Sequence, residues 1–469
     1  MEKEYNFKSD KAMRRPILFI IVIVLQMLFA SAQSFAQSRL VGGDLSLVPA
    51  YEAAGDQWLD ENGSVIPDLL AYVKEKGWNA VRMRLFVDPS QDASDPSVCQ
   101  DFDYVLALAQ RVKNLGMKVC LDLHYSDTWA DPGQQKIPSS WTDHSNAALS
   151  AKVYSYTNDV IKGFIQGGAA PEYVQIGNEI TYGLLWTTTD GKYPQSSSQY
   201  ASAGYCPTWS SNYSDGTSQW KRTASLLNNA SHAVHQAFHE SGIDSTLVQI
   251  VLHTTMVGTN ASSSLNFHKH LRTAGFTNYD IIGFSYYPFW NGRLEVLGSL
   301  LTNLRNTFPE KPVHIVETAW YNNWYPYSKD ASGEYTIASL NSNWTANAQG
   351  QVNYLNDLVD YVQAFDNVKA VYYWMPEECG NGYQKKVMNS WINRGLWNNS
   401  SSQKHAMLKA SDGSTGVSVL ARFLGDEDGI EEVKTTLPNR FTYDLSGRRT
   451  KTPVRGVRIL NGRKILNGK

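Results

Sequence analysis

A closed (β/α)8 barrel with a small C-terminal β-rich appendage is the fold that the sequence predicts. Three observations carry the prediction. Eight short β-rich runs recur along the chain, the stretches between them are long enough for helices, and polar or aromatic residues stand at the C-terminal ends of the runs. Strands alternating with helices imply parallel pairing, and eight such units in about 370 residues imply closure. A doubly wound open sheet is the alternative. It would announce itself with a glycine-rich phosphate loop after the first strand, and GGDLS is not that motif.

The runs, in order, are LVGGDLS (40–46), NAVRMRLF (79–86), MKVCLDLH (117–124), YVQIGNE (173–179), LVQIVLH (247–253), DIIGFSY (280–286), PVHIVE (312–317) and VKAVYYW (368–374). Between the early ones lie DLLAYVKEKG (68–77) and DFDYVLALAQRVKNLG (101–116), amphipathic and closed by Gly just past the last periodic residue. Arg84, His124, Glu179, His253, Tyr286, Glu317 and Trp374 mark the strand ends. In a barrel those ends converge on one site.

Outside the barrel, four segments follow from composition. Residues 1–36 read as a signal peptide: positive charge up to Arg15, the apolar stretch PILFIIVIVLQMLFA, and small residues at Ala30, Ser31, Ala32 and again at Ser34 and Ala36, with cleavage expected after Ala36. An uncleaved anchor needs about 20 apolar residues, more than this stretch supplies. Residues 37–410 form the barrel, 411–427 a linker that includes SDGSTG, and 428–469 a β-rich tail with LSG and LNG turns. YDLSGRR and GVRILNGRKI look like the sorting tails of some exported bacterial proteins, and a plain β appendage is the competing reading. The mature chain is expected to be secreted, periplasmic or at the cell surface, with no stable membrane span, and to be a monomer.

Charge excludes one class of partner. With 42 Lys+Arg against 44 Asp+Glu the formal charge is -2, so no nucleic-acid footprint exists. Aromatic residues make up 12% of the chain, and 14 Trp offer flat apolar faces of the kind that pack against sugar rings, although most Trp serve core packing. Four cysteines, Cys99, Cys120, Cys206 and Cys379, allow three pairings that sequence cannot choose among. There is no GxSxG elbow, HExxH, CxxC or phosphate loop. His232 and His235 share a helical spacing but lack an acidic partner motif, so a solvated helix face explains them.

What remains is carboxylate chemistry. Cleaving a glycosidic bond with retention needs two carboxyl groups about 5–5.5 Å apart, one protonated and one ionised. Glu179 and Glu317 end the fourth and seventh strands, and barrel closure brings such residues face to face. Either could instead cap a helix. Asn178 is placed to bind a sugar hydroxyl beside the anomeric carbon. Asp122 and His124 share one face of the third strand, where they orient neighbours, bind hydroxyls or satisfy each other. Arg84 could hold the nucleophile ionised, with Arg82 on the same face as a rival, and Tyr286 could hydrogen-bond it, with Tyr287 as its rival. Trp374 is expected as the floor for the cleaved sugar, His253 lies at the fifth strand's end, and Trp129, Trp320 and Trp324 are candidates for further subsites.

From Gly42 to Leu408 the chain resembles the clan A retaining glycosidases, and within them the family 53 endo-β-1,4-galactanases. The motifs are GGDLSLVPAYEAAG, NAVRMRLFVDP, DLHYSDTWADPGQQKIPSSW, VQIGNEITYGLLW, IIGFSYYPFW and VHIVETAW, of which the long segment starting at Asp122 is the most specific. The resemblance implies Glu179 as acid/base, Glu317 as nucleophile, Asn178, Arg84, His124 and Tyr286 around them, and β-1,4-galactan of pectin side chains as substrate, cut internally. No cofactor is implied for catalysis; a structural calcium ion is implied for some members, with Asp330 and Glu334 as the acidic residues on offer here. The insert at 186–220 does not align with the family. The alternatives are another clan A hydrolase, a β-mannanase or cellulase, and a non-catalytic glycan-binding barrel.

Overall fold

Eight parallel strands pair in chain order and the last returns to the first. They are β1 (Leu40–Asp44), β2 (Ala80–Leu85), β3 (Lys118–Leu123), β4 (Tyr173–Ile176), β5 (Gln249–Thr255), β6 (Ile281–Ser285), β7 (Val313–Thr318) and β8 (Val368–Trp374). The expected (β/α)8 barrel is therefore the observed one. The computed structural model describes residues 39–187, 206, 218–323, 340–379, 393–398 and 402–425, and the strands of the C-terminal tail. The signal segment 1–36, most of the insert 186–220, Trp324, Asp330 and Glu334 lie outside the described residues.

The period-2 alternation of the strands sorts every side chain. Leu40, Ala80, Cys120, Tyr173, Val251, Ile281, Val316, Ala370 and Tyr372 form a closed apolar cluster in the barrel interior. Their alternate neighbours, such as Val81, Met83, Val119, Leu121, Ile250, Leu252, Ile282 and Phe284, join the larger core beneath the helices. One pleat above the interior cluster the same face turns polar: Asp44, Arg82, Asp122, Gln175 and His253, all with no exposed surface.

Around the barrel run α1 (Leu69–Glu75), α2 (Phe102–Asn114), α3 (Asn146–Gln166), α4 (Ser218–Glu240), α5 (Ser263–Thr273), α6 (Leu294–Thr307), α7 (Ala348–Val362) and α8 (Gly416–Ala421). Asp68, Asp101, Ser145 and Asn347 start α1, α2, α3 and α7 by accepting first-turn N–H groups. Helices α1 and α2 give way to Gly77 and Gly116, both at positive φ, as their sequences predicted. None of the four cysteines forms a disulfide.

One segment differs from its sequence reading. Residues 411–425, expected as linker, contain α8, begun by a capping box between Thr415 and Ser418. Val417 and Leu420 are fully buried, and Trp78 donates its indole N–H to the Val417 carbonyl at 3.0 Å. The polar cluster SDGSTG masked a helix start, because Ser and Thr serve caps as readily as loops. Beyond it the tail strands Thr442–Tyr443, Arg449–Thr450, Gly456–Leu460 and Arg463–Asn467 pair antiparallel. Among the described residues no helix is long and apolar enough to cross a membrane.

Candidate active site

The polar layer at the strand ends is organised by one guanidinium. Arg82, fully buried in the middle of β2, places Nη1 at 3.0 Å from both Asp44 Oδ2 and Glu317 Oε1. Its Nη2 donates to Asp122 Oδ2 at 2.7 Å and Asn178 Oδ1 at 2.8 Å, and its Nε to Gln175 Oε1 at 3.2 Å. A planar fork can serve that many acceptors at once; an ammonium cannot. Arg84, the sequence candidate for this role, sits one pleat higher. It pairs with Asp44 at 2.6 Å and lies between Trp129 and Trp374, 4.8 and 4.9 Å from their ring centroids. The partner of Glu317 is thus Arg82, because the deeper stem brings its head level with the carboxylates. Replacing Arg82 with Leu takes the cation from Glu317 and Asp122, while Asp44 keeps Arg84, and we expect a loss of about 3–5 kcal/mol of stability, read as a lower denaturation midpoint.

Glu179 stands three residues past β4, in a turn with no helix behind it among residues 177–187. The cap reading therefore fails. Its φ is +46° and that of Gly177 is +93°. A non-glycine residue in the left-handed region costs energy, and such strain persists where surrounding contacts over-determine it. They do here: the Glu179 N–H points at His253 Nδ1 (3.3 Å), the next N–H donates to the His253 carbonyl (3.0 Å), and Asn178 Nδ2 donates to the Ala130 carbonyl (2.7 Å). Leu184, Leu185 and Trp186, further along the same loop, are buried.

Glu317 reaches the same place by a different device. Phe284 pairs with Ile315 but Ser285 pairs with Glu317, so Val316 is an extra residue in β7. Such a bulge re-aims a side chain. Val316 faces the interior cluster, and Glu317, which strict alternation would send to the helices, turns to the open end of the barrel instead. Carboxylate oxygens of Glu179 and Glu317 and a ring nitrogen of His253 lie within 4.8 Å of one another.

The two carboxyls have unequal surroundings. Burial, then the nearby charge of Glu317, pushes Glu179 well above the usual carboxylate range, and among the described residues it has no ion-pair partner. Glu317 is lifted to about 7 by burial, while Arg82 and the Tyr287 hydroxyl, which donates to Oε2 at 2.9 Å, pull the other way. Glu317 therefore ionises first and Glu179 keeps its proton. Burial would also lift Asp122, but Arg82 and His124 (3.0 Å) outweigh it and hold the group low.

The other expected residues divide. His253 lies at the centre of the cluster, and Asn178, Asp122 and His124 line it. Tyr286 does not: its hydroxyl donates to the Gly292 carbonyl at 2.8 Å, and the residue that reaches Glu317 is Tyr287. Alternation past Ser285 puts Tyr287, not Tyr286, on the inward face. Trp374 is 6% exposed and Trp129 is half-buried, its Nε1 bonded to Asp95, so both present ring surface at the cleft. Trp320 has no exposed surface and packs against Trp344 and Tyr354, so it offers no face to a ligand. Sequence reasoning passed over Asp44, Gln175 and Ser285. Gln175 shares the strand parity of Glu179 and Ser285 that of Tyr287, the rival candidate, and parity is the signal that finds them; Asp44 lies on a strand from which no residue was chosen.

Comparison with known proteins accords with this geometry. A sequence model of glycosyl hydrolase family 53 matches residues 40–410. Arabinogalactan endo-β-1,4-galactanase A of Aspergillus niger is 32% identical over 347 residues, covering 72% of this chain and 85% of that protein. The arabinogalactan endo-β-1,4-galactanase of Cellvibrio japonicus is 30% identical over 373 residues, covering 78% and 89%. Among solved structures, the family 53 catalytic domain of Ignisphaera aggregans superposes with a TM-score of 0.65 at 26% identity, covering 84% of this chain and 98% of that one. A fungal β-1,4-galactanase gives 0.62 at 27%, covering 82% and 99%.

Proposed function

The chain belongs to glycosyl hydrolase family 53, and from that premise we propose that it is an exported, endo-acting β-1,4-galactanase that cuts the galactan side chains of pectin with retention of configuration. The observation that carries the mechanism is the pair itself: carboxylate oxygens of half-buried Glu179 and buried Glu317 within 4.8 Å of each other, of which only Glu317 has a cation and a phenol to hold it ionised. Spacing of this order suits direct attack and leaves no room for the intervening water of an inverting enzyme. In the first step Glu317 attacks the anomeric carbon while Glu179 gives its proton to the departing glycosidic oxygen. In the second, Glu179 as carboxylate takes a proton from water, which displaces Glu317. No step calls on a cofactor.

The substrate part of the proposal comes from the named relatives in Aspergillus niger and Cellvibrio japonicus. Reducing-sugar release from galactan, mannan and cellulose tests it. Release from galactan alone, with oligomers as early products and the β-anomer formed first by NMR, is the expected result; release from mannan or cellulose instead would assign another clan A specificity.

Tyr287 supplies a second check. Tyr287→Phe removes one hydrogen bond to a buried carboxylate, and kcat on galactan should fall about 10–100-fold. Tyr286→Phe removes a bond to a backbone carbonyl instead and should leave kcat within about twofold of wild type. Equal losses would show that neither phenol acts through Glu317.

A further inference from the structure

Between the two carboxyls lies a hydroxyl that the mechanism above does not use. Ser285 Oγ is 2.6 Å from Glu179 Oε1, 3.2 Å from Glu317 Oε2 and 2.9 Å from His253 Nε2. The residue is 2% exposed, so these three groups are its surroundings. A hydroxyl has one proton to give and two lone pairs to receive with, and the direction of each contact can be worked out.

His253 comes first. Gln175 is oriented by Arg82 Nε on its oxygen (3.2 Å) and by Asp122 Oδ1 on its nitrogen (2.5 Å), which turns the amide N–H toward His253 Nδ1 at 3.0 Å. The Glu179 backbone N–H approaches the same nitrogen. Asn178 Oδ1, also 3.0 Å away, already accepts from Arg82. Two donors on Nδ1 make it the acceptor, so the ring carries its hydrogen on Nε2 and donates to Ser285. Burial and the charge of Arg82 keep the ring neutral.

One lone pair and one proton of Ser285 are then left for two carboxyls. They can be shared in one way: a protonated carboxyl donates to the oxygen, and an ionised one accepts from it. That is the one-proton state that retaining cleavage starts from. Arg82 and Tyr287 fix which is which, with Glu317 ionised and Glu179 protonated.

We propose that Ser285 is the positioning residue that selects the one-proton state of the Glu179–Glu317 pair, donating to Glu317 before cleavage and to Glu179 in the glycosyl-enzyme. The proposal rests on the assignment of the two glutamates given above. When the anomeric carbon bonds to Glu317 and the glycosidic bond breaks, the Glu179 proton leaves on the departing oxygen. Glu317 is then an ester with no charge to attract a donor, and Glu179 is the carboxylate. The hydroxyl rotates from one to the other without giving up its own proton. The bulge at Val316 is what makes this geometry available, since it sets Ser285 and Glu317 side by side in register.

The test is the pH dependence of kcat/KM on galactan for wild type, Glu317→Ala, Ser285→Ala and Ser285→Thr. Ser285→Ala removes both the donor to ionised Glu317 and the acceptor for protonated Glu179, so kcat/KM should fall about 10–100-fold and the bell should narrow, its ascending limb moving to higher pH and its descending limb to lower pH. The other groups facing the pair, Asp44, Arg82, Asp122, His124, His253, Tyr287 and Asp131, whose charge also acts on Glu179, are unchanged, so the movement reports the hydroxyl. Ser285→Thr restores it and should bring the limbs back. If Ser285→Ala melts well below wild type, Ser285→Cys, near in volume and a weak donor, takes its place in the comparison. A wild type with a bell-shaped profile and an inactive Glu317→Ala, together with a Ser285→Ala profile scaled down but unmoved, overturns the role of Ser285. A wild type silent on galactan overturns the parent assignment and this one with it.

Discussion

Glu317→Ala should abolish hydrolysis of galactan, with kcat lowered on the order of 10⁵-fold or more while the fold survives. The size follows from what is removed. Among the described residues no other carboxylate stands where Glu317 stands: Asp44 and Asp122 lie one pleat lower, each tied to Arg82, and in the proposed mechanism Glu179 serves the leaving group. The fold should survive because Arg82 keeps Asp44 and Asp122 as partners, so the substitution strands no buried cation. It also leaves room where the carboxylate was. Azide added with an aryl β-galactoside carrying a good leaving group should enter that space, attack the anomeric carbon from the face Glu317 used, and give the α-galactosyl azide. Recovery of the β-azide instead would exchange the roles of the two glutamates. Turnover of galactan at a tenth of the wild-type rate would remove Glu317 from the chemistry altogether.

The barrel was legible because it rests on repetition. Eight apolar runs separated by amphipathic stretches bury two faces of a parallel sheet, and no single residue decides that pattern. The two glutamates were legible for the same reason, as polar residues at the ends of runs that closure brings together. What sequence could not rank were neighbours of equal parity or adjacent position. Arg82 and Arg84 point the same way, and which reaches Glu317 depends on depth in the barrel. Tyr286 and Tyr287 are adjacent, and the choice turns on whether alternation continues past the end of β6. The bulge at Val316 left no mark in VHIVET, since an inserted residue looks like any other until its partner strand is known. The strain at Glu179 is hidden in the same way, because φ is a property of the closed loop and not of the residue type. Ser285 fell below notice as a small polar residue beside two tyrosines; its importance lies in three distances that only the assembled strands create.

Glu179→Ala should separate substrates by their leaving groups. Loss of a general acid costs about 10²–10⁴-fold where the departing oxygen needs its proton, as the sugar oxygen of galactan does. An aryl β-galactoside with an acidic phenol departs nearly unaided, so glycosylation should proceed and the covalent intermediate should build up, seen as a burst of phenol followed by slow turnover. Exogenous azide, needing no general base, should speed that turnover and give the β-galactosyl azide. The pH profile supplies a second reading. On the proposed mechanism wild-type kcat/KM requires Glu317 ionised and Glu179 protonated, so activity should rise as pH climbs through about 7, the value to which burial lifts Glu317, and fall again at higher pH when Glu179, pushed further up by burial and by the charge of Glu317, loses its proton. Removing Glu179 should erase the descending limb on the aryl substrate and leave the ascending one in place. Equal losses on polymer and aryl substrate, with the descending limb retained, would mean that the proton comes from elsewhere, and the strained turn that carries Glu179 would then need a different explanation.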